Sequence, residues 1–452
     1  MALSPLDGWL IAAVLIVAYS GFVVWLYRTG RLGPDRTFSL FGPALMVKTQ
    51  RGRGWLDRIG RFSRFWSVVG AFGVALAAAA MGVVVFVLAL DAIVATQIPA
   101  SSAPSPAEAL GIPGLNPIIP LGYGLVAIVV GIVFHELAHG VLARSQKIGV
   151  KSIGILWLVV PIGAFVEQDD TEMTQAPRRQ RRRVAAAGVL ANFALAVLFF
   201  ALLSGIVAAT VQPNADGVGI GYVVPNSPAA NATLAVGDII TAINGTPTAT
   251  NTALLDQLSS LPPNTTVNVT YYSASRAATL TVPIVLADRA SYTGDSSQSH
   301  EGFLGVAPLF LTPAALKGVL VSPLQSSNGP LLGTTDWIVL PLAGLEPIQG
   351  PTAGFFHLSG PLAAMGDGSF WILANLLFWL AWMNLLLGLS NALPLIPLDG
   401  GLLFRDFVAG IASRVRPAWD ADRLNRFSGS ATAAASVAVV LLLVWQFVGP
   451  RL

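Results

Sequence analysis

Cysteine is absent from the 452-residue sequence. That excludes disulfides, thiolate metal sites and cysteine nucleophiles, and it leaves the redox compartment open. Charge is scarce as well: 11% of residues are Asp, Glu, Lys or Arg, against roughly 25% in an ordinary globular chain. Lysine is rarest of these, with four residues beside 22 Arg, and the net formal charge is only +3. Such a balance is too small to mark a nucleic-acid-binding protein, so none is expected as a partner. No Gly-x-Ser-x-Gly elbow occurs, which disfavours serine catalysis of the α/β-hydrolase kind. What fills the chain instead is apolar residues, at 54% with a mean hydropathy of +0.68. The solvent of much of this chain is the lipid bilayer.

Spanning the hydrocarbon takes about 20 predominantly apolar residues. Six stretches qualify: Gly8–Tyr27, Trp66–Ile93, Ile118–Leu142, Val184–Val211, Phe370–Leu393 and Ala431–Val448. The first lacks a basic start and a small-residue cleavage site, so it reads as a retained helix rather than a leader. Of the 26 Lys and Arg, 22 fall in three segments: Arg28–Arg64, Arg144–Arg183 and Arg405–Arg426. Alternating spans put all three on one side, which the positive-inside rule makes cytoplasmic. Both termini and the long Gln212–Ser369 segment are then extracytoplasmic, in a cell-membrane protein. The run Arg178–Arg183 reads as an interfacial anchor beside a span.

Composition changes at Gln212. Pro, Asn, Thr and Gly rise, and apolar residues fall into short alternating runs with turn signals. Gly219–Val224, Thr266–Tyr272 and Ala278–Val285 read as strands; Ala229–Leu234 and Asn251–Leu258 read as short helices. The chain's four Asn-x-Thr sequons begin at Asn231, Asn244, Asn264 and Asn268, all within this segment. A glycosylation acceptor needs only that triplet, so modification stays open. From Ala287 to Ser369 no run is long enough to span, and Trp337–Leu345 is expected at the lipid interface.

The chemistry sits in the third span, in His135-Glu136-Leu-Ala-His139. Residues four apart lie one above the other on a helix, so two imidazoles can face one ion. Glu136 lies about 100° further round, beside the ion's water rather than on the ion. Three ionisable groups within five residues of a span are costly unless they pair or bind something. Two histidines leave Zn²⁺ short of a protein ligand, and the other two, His300 and His357, fall on the opposite side. His135 lies roughly 26 Å along an inward-running helix, so the site belongs to the cytoplasmic half of the membrane. Asp399 follows the inward-running fifth span, after Asn391-Ala-Leu-Pro394-Leu-Ile-Pro397-Leu, where the prolines break the helix. It is the expected third ligand; the alternative is a cap for the next helix.

These motifs resemble those of the site-2 protease family of intramembrane zinc metalloproteases. His-Glu-Leu-Ala-His139 and Asn391-x-x-Pro394-x-x-x-Leu-Asp399-Gly400 carry the resemblance. Gly188-Val189-x-x-Asn192 is similar to the family's Gly-Pro-x-x-Asn, with Val189 in place of proline. Ser359-Gly360-Pro361 is similar to the loop before the family's last catalytic span. The likeness covers about Leu121–Phe404. Within the external segment, Val224-Pro-Asn-Ser-Pro-Ala229 and Leu234-x-Val-Gly-Asp-Ile-Ile-x-x-Ile-Asn-Gly245 resemble a PDZ domain. The resemblance implies zinc held by His135, His139 and Asp399, with Glu136 as the catalytic base. It also implies substrate contact by Asn391, for which a helix-end cap is the alternative. Asn192 is a second candidate substrate contact, with an interhelical hydrogen bond as its alternative.

The expected architecture is an α-helical polytopic membrane protein of about six transmembrane helices with an inserted α+β PDZ-like extracytoplasmic domain. Residues 1–117 hold two helices and a basic loop. Residues 118–211 hold the first part of the catalytic core, with a membrane-associated β-hairpin or interfacial loop in Lys151–Val166. Residues 212–290 form the PDZ-like domain, 291–369 a linker, 370–404 the second part of the core, and 405–452 a cytoplasmic segment with a final helix. The expected function is regulated intramembrane proteolysis of membrane-spanning protein substrates, the PDZ-like domain binding or filtering them. The alternative is a catalytically silent PDZ-bearing scaffold, which would have no need of Glu136. A metal transporter would line several spans with polar residues, and this chain gathers them at one locus.

Overall fold

Within a bilayer a backbone must satisfy its own hydrogen bonds, so long apolar runs fold as helices. The computed structural model describes residues 5–452 apart from 34–35, 101–102, 104, 110, 159, 326–328 and 346. In chain order its main elements begin with α1 (Pro5–Arg28), β1 (Phe38–Phe41), β2 (Ala44–Thr49), α2 (Arg53–Gly60) and α3 (Ser63–Ala95). They continue with α4 (Leu121–Ser145), β3 (Val150–Leu158), β4 (Val160–Gln168), α5 (Arg178–Ala185) and α6 (Ala187–Thr210). Next come β5 (Val218–Val223), β6 (Ile239–Ile243), α7 (Asn251–Ser259), β7 (Thr266–Ser273), β8 (Ala278–Val285) and β9 (Val306–Pro308). The chain ends with α8 (Pro313–Val321), α9 (Pro330–Val339), α10 (Asp367–Asn391), α11 (Asp399–Val415) and α12 (Ala421–Val448).

Among the described residues five helices are long and apolar enough to cross a membrane: α3, α4, the α5–α6 pair, α10, and α12 with the turn after it. This is a multi-pass membrane protein. Of the six expected spans, the first is represented by α1, a helix of 24 residues. Within it Ala13–Arg28 is apolar.

The chain divides into two compact units. The first comprises residues 1–116, 124–197 and 380–452. In it β1, β2, β3 and β4 form a four-stranded antiparallel sheet in that order. The β3–β4 hairpin falls where a hairpin was expected. Strands β1 and β2 were expected only as basic loop; Leu45 pairs with Trp157 and Thr49 with Ile153, extending the hairpin by two strands. Lys48 clasps Glu167 across the sheet at 3.0 Å, and Ser152 also donates to Glu167. Burial pushes the Glu167 carboxyl up, but Ser152 and Lys48 outweigh it and hold the group below its usual range.

The helices of this unit meet through small residues. Gly70 of α3 faces Leu142 and Arg183, and Gly73 faces Leu190. Ala77 and Ala80 of α3 share a buried cluster with Ala186, Val189 and Leu403. The basic run Arg178–Arg183, expected as an interfacial anchor, also makes contacts within the protein. Arg181 pairs with Asp406, Arg182 donates to the Asp406 carbonyl, Arg178 to Ser413 and Arg183 to Gln146. These guanidiniums are part of the protein's own packing.

The second unit comprises residues 117–123 and 198–379. Its sheet has the order β8-β7-β6-β5-β9, with the two-residue strand Thr246–Pro247 paired to β6. Ile220, Ile240, Leu254, Val267, Val269 and Ile284 fill its core. The outer strand β9 pairs with β5 and lies beyond the 290 boundary expected for this domain. Residues 291–369, expected as a linker, carry α8 and α9, and Leu316, Val319 and Leu320 are buried. Trp337 is likewise buried, its ring 5.3 Å from Phe378 and 5.5 Å from Phe200, so it faces protein rather than the lipid interface.

Candidate metal centre

Helix α4 carries His135 and His139 on one face, buried to 8% and 7% exposure. Helix α10 ends at Asn391, and a turn through Leu393–Leu398 leads into α11, whose first residue is Asp399. Gly400 makes this turn feasible: a Cβ there would overlap the carbonyl oxygens of Ala392 and Leu393. The start of α11 thereby lies tight against the preceding chain and presents Asp399 to α4.

Three donor atoms converge. His139 Nε2 lies 3.2 Å from His135 Nε2 and 3.0 Å from Asp399 Oδ2, and His135 Nε2 lies 3.1 Å from the same oxygen. Among the described residues these three form the His/Asp/Glu group able to hold a metal ion. Zinc bound tetrahedrally at about 2.0–2.1 Å sets its donors roughly 3.3 Å apart. The observed separations fit that ion closely. His300 and His357 take no part; His357 Nδ1 bonds Asn214 Oδ1 in the second unit.

The outer nitrogens of the imidazoles are held as well. His139 Nδ1 lies 2.8 Å from the Val184 carbonyl oxygen, which can only accept. Nδ1 therefore carries the proton and the Nε2 lone pair points at the site. His135 Nδ1 lies 3.1 Å from the Asn192 side-chain nitrogen, while Asn192 Oδ1 is buried without a partner. Turning the amide end for end, which leaves its shape unchanged, places Oδ1 on an Nδ1–H and gives His135 the same tautomer. Gly188 stands one turn before Asn192, and a Cβ there would overlap the His135 ring. Glycine admits the imidazole and asparagine four residues on orients it.

Asn192 was expected as a substrate contact. It is fully buried and bonded to His135, the interhelical alternative. Asn391 donates its side-chain NH₂ to the Leu387 carbonyl at 2.9 Å, within its own helix. Glu136 is half-buried beside the site, and its Oε2 accepts the Val166 N–H at 3.0 Å. Val166 stands opposite Ile153 on β3, and with β4 the outer strand of its sheet the N–H that Glu136 takes lies on the strand's open side. The Val184 carbonyl left no signal in the sequence, since any residue supplies one. The Gly188/Asn192 pair did leave one, a four-residue spacing on one helical face.

A membrane helix offering two histidines and a glutamate to an aspartate on another helix defines a metalloprotease-type centre. Residues 123–434 match the model of Peptidase family M50, and the chain belongs to this family, the site-2 proteases. It is 25% identical over 392 residues to an uncharacterised protein of Methanocaldococcus jannaschii, covering 86% of this chain and 83% of that one. It is 27% identical over 269 residues to the zinc metalloprotease RasP of Shouchella clausii, covering 56% of this chain and 58% of that one. Zinc is the metal this family membership brings, and the donor set accommodates it.

Proposed function

We propose that this protein is an intramembrane zinc endopeptidase that cleaves membrane-spanning segments of other proteins. One observation carries the reading: His135, His139 and Asp399 meet within 3.0–3.2 Å, and His135, Glu136 and His139 lie on a helix of membrane-spanning character. Zinc held by these three would supply Lewis acidity to a water and to the scissile carbonyl. Glu136 takes the water's proton on its carboxylate and returns it to the leaving nitrogen. Its hydrogen bond from Val166 aims the carboxylate until then. His135 and His139 keep their Nε2 lone pairs on the site through the Asn192 and Val184 bonds.

A transmembrane helix hides its amides within its own coil, so the substrate must unwind and find new backbone partners. The outer edge of β4, away from the Val166 N–H that Glu136 takes, offers them, since an edge strand accepts an extended chain as a further strand. Asn391, its nitrogen engaged with Leu387, offers its carbonyl oxygen to the same strand. The clustering of the basic residues supports a site in the cytoplasmic half of the cell membrane and an extracytoplasmic sheet. In a PDZ-like reading of that sheet, β9 and α7 border a groove for an extended peptide. Asn251 of α7 closes one end by donating to the Leu309 carbonyl at 2.6 Å. The sheet thereby binds or filters substrates before they reach the bilayer.

The test is Glu136→Gln in the full chain, assayed on a single-span model substrate in membranes. Cleavage is expected to fall by about 10²–10⁴-fold while bound zinc stays at the wild-type level. Persistent cleavage overturns the assignment of the base. In the companion Asp399→Ala variant bound zinc falls; unchanged stoichiometry removes Asp399 from the ligand set.

A further inference from the structure

The six-residue run Arg178–Arg183 remains unexplained by the chemistry above. It lies in α5, joined to α6 through a one-residue break at Ala186. Asp406 lies in α11, seven residues after Asp399, and its side chain is 13% exposed. Arg181 grips it at two points, Nε to Oδ2 at 3.1 Å and Nη2 to Oδ1 at 2.5 Å. Arg182 adds a bond to the Asp406 carbonyl and lays its guanidinium 4.6 Å over the Phe407 ring. Arg178 donates to Ser413 at 3.0 Å.

Spacing turns these contacts into a pattern. Seven residues of α-helix advance roughly 10 Å and return to within about 20° of the same direction. Asp399, Asp406 and Ser413 therefore share one stripe of α11, the first on the metal centre and the other two on α5. A paired guanidinium–carboxylate contact fixes rotation as well as position, because its two bonds are parallel and planar. The same α5–α6 segment holds His139 through the Val184 carbonyl and His135 through Asn192. One continuous stretch of chain thus holds two of the donors and the helix that carries the third.

We infer that Arg181 and Asp406 are positioning residues of the metal centre: their pairing sets the rotation of α11 and so presents Asp399 to His135 and His139. The inference rests on the zinc-site reading above and extends it to residues that touch neither ion nor substrate. Partners that orient metal ligands typically alter metal affinity by about 10–100-fold when removed.

The experiment measures zinc affinity by chelator competition on the purified full-length protein in detergent, for wild type, Asp406→Asn, Arg181→Lys and Ser413→Ala. Asp406→Asn is expected to weaken zinc binding about 10–100-fold, and to lower kcat on the single-span substrate with KM within about twofold. Arg181→Lys keeps the charge but loses the two-point grip, so it moves the same way by less, and it stands in if Asp406→Asn does not purify as a single species. Ser413→Ala, two turns further from the ion, keeps wild-type affinity. A merely structural pairing would lower the thermal midpoint of the zinc-free protein and leave zinc affinity alone, which overturns the inference. A wild-type protein that binds no zinc would instead sink the reading of the site itself.

Discussion

The helices around the metal centre and the sheet of the second unit both bury side chains completely, for opposite reasons. In the sheet, Ile220, Ile240, Val267 and Val269 are fully buried, and removal of apolar surface from water drives their packing. Between membrane helices that drive vanishes, because lipid tails are as apolar as leucine. There the contacts come from small residues and from polar bonds: Gly188 under His135, Gly131 against Leu387 and Asn384, Asn192 on His135, Arg181 on Asp406. The comparison teaches that a methyl group matters near the ion through overlap and in the sheet through lost burial.

The largest expected effect breaks the first kind of contact. Gly188→Ala drives a methyl into the His135 ring and should weaken zinc binding by about 10–100-fold, read by chelator competition, while the sheet stays resistant to protease. An intermediate effect belongs to the sheet. Ile240→Ala should destabilise it by about 2–5 kcal/mol, read as accelerated limited proteolysis within residues 211–310, with zinc affinity unchanged. If Ile240→Ala strips zinc, the two regions are not separable in this way. The smallest is Thr250→Ala. Thr250 caps α7 by accepting the Ala253 N–H, and its loss should cost about 1 kcal/mol by the same proteolytic measure.

What could be read before the fold was known follows the range of the interactions. The two histidines and the glutamate are set by one helical turn, and the proline-broken segment before Asp399 marks irregular backbone at membrane depth. Those signals are local, and they point at residues the structure brings together. Strands β1 and β2 were hidden because such short strands inside a basic loop are fixed only by their pairing, β1 with β2 and β2 with the distant β3. Strand β9 was hidden because three residues gain their meaning from β5, more than 80 positions earlier. Arginines beside a span look alike whether they meet headgroups or a buried aspartate, and only the partner on α11 tells them apart. Asn192 had both readings available, and only the position of His135 could choose between them.

His139 and Asp399 stand 260 residues apart in the chain, with the entire second-unit sheet encoded between them. A ribosome must therefore thread most of the polypeptide, including the sheet and the helix ending at Asn391, before the ion's last donor exists. No nascent product shorter than that can hold zinc with the complete donor set, so hydrolytic competence arrives late in biosynthesis, after every main element before α11 has been made.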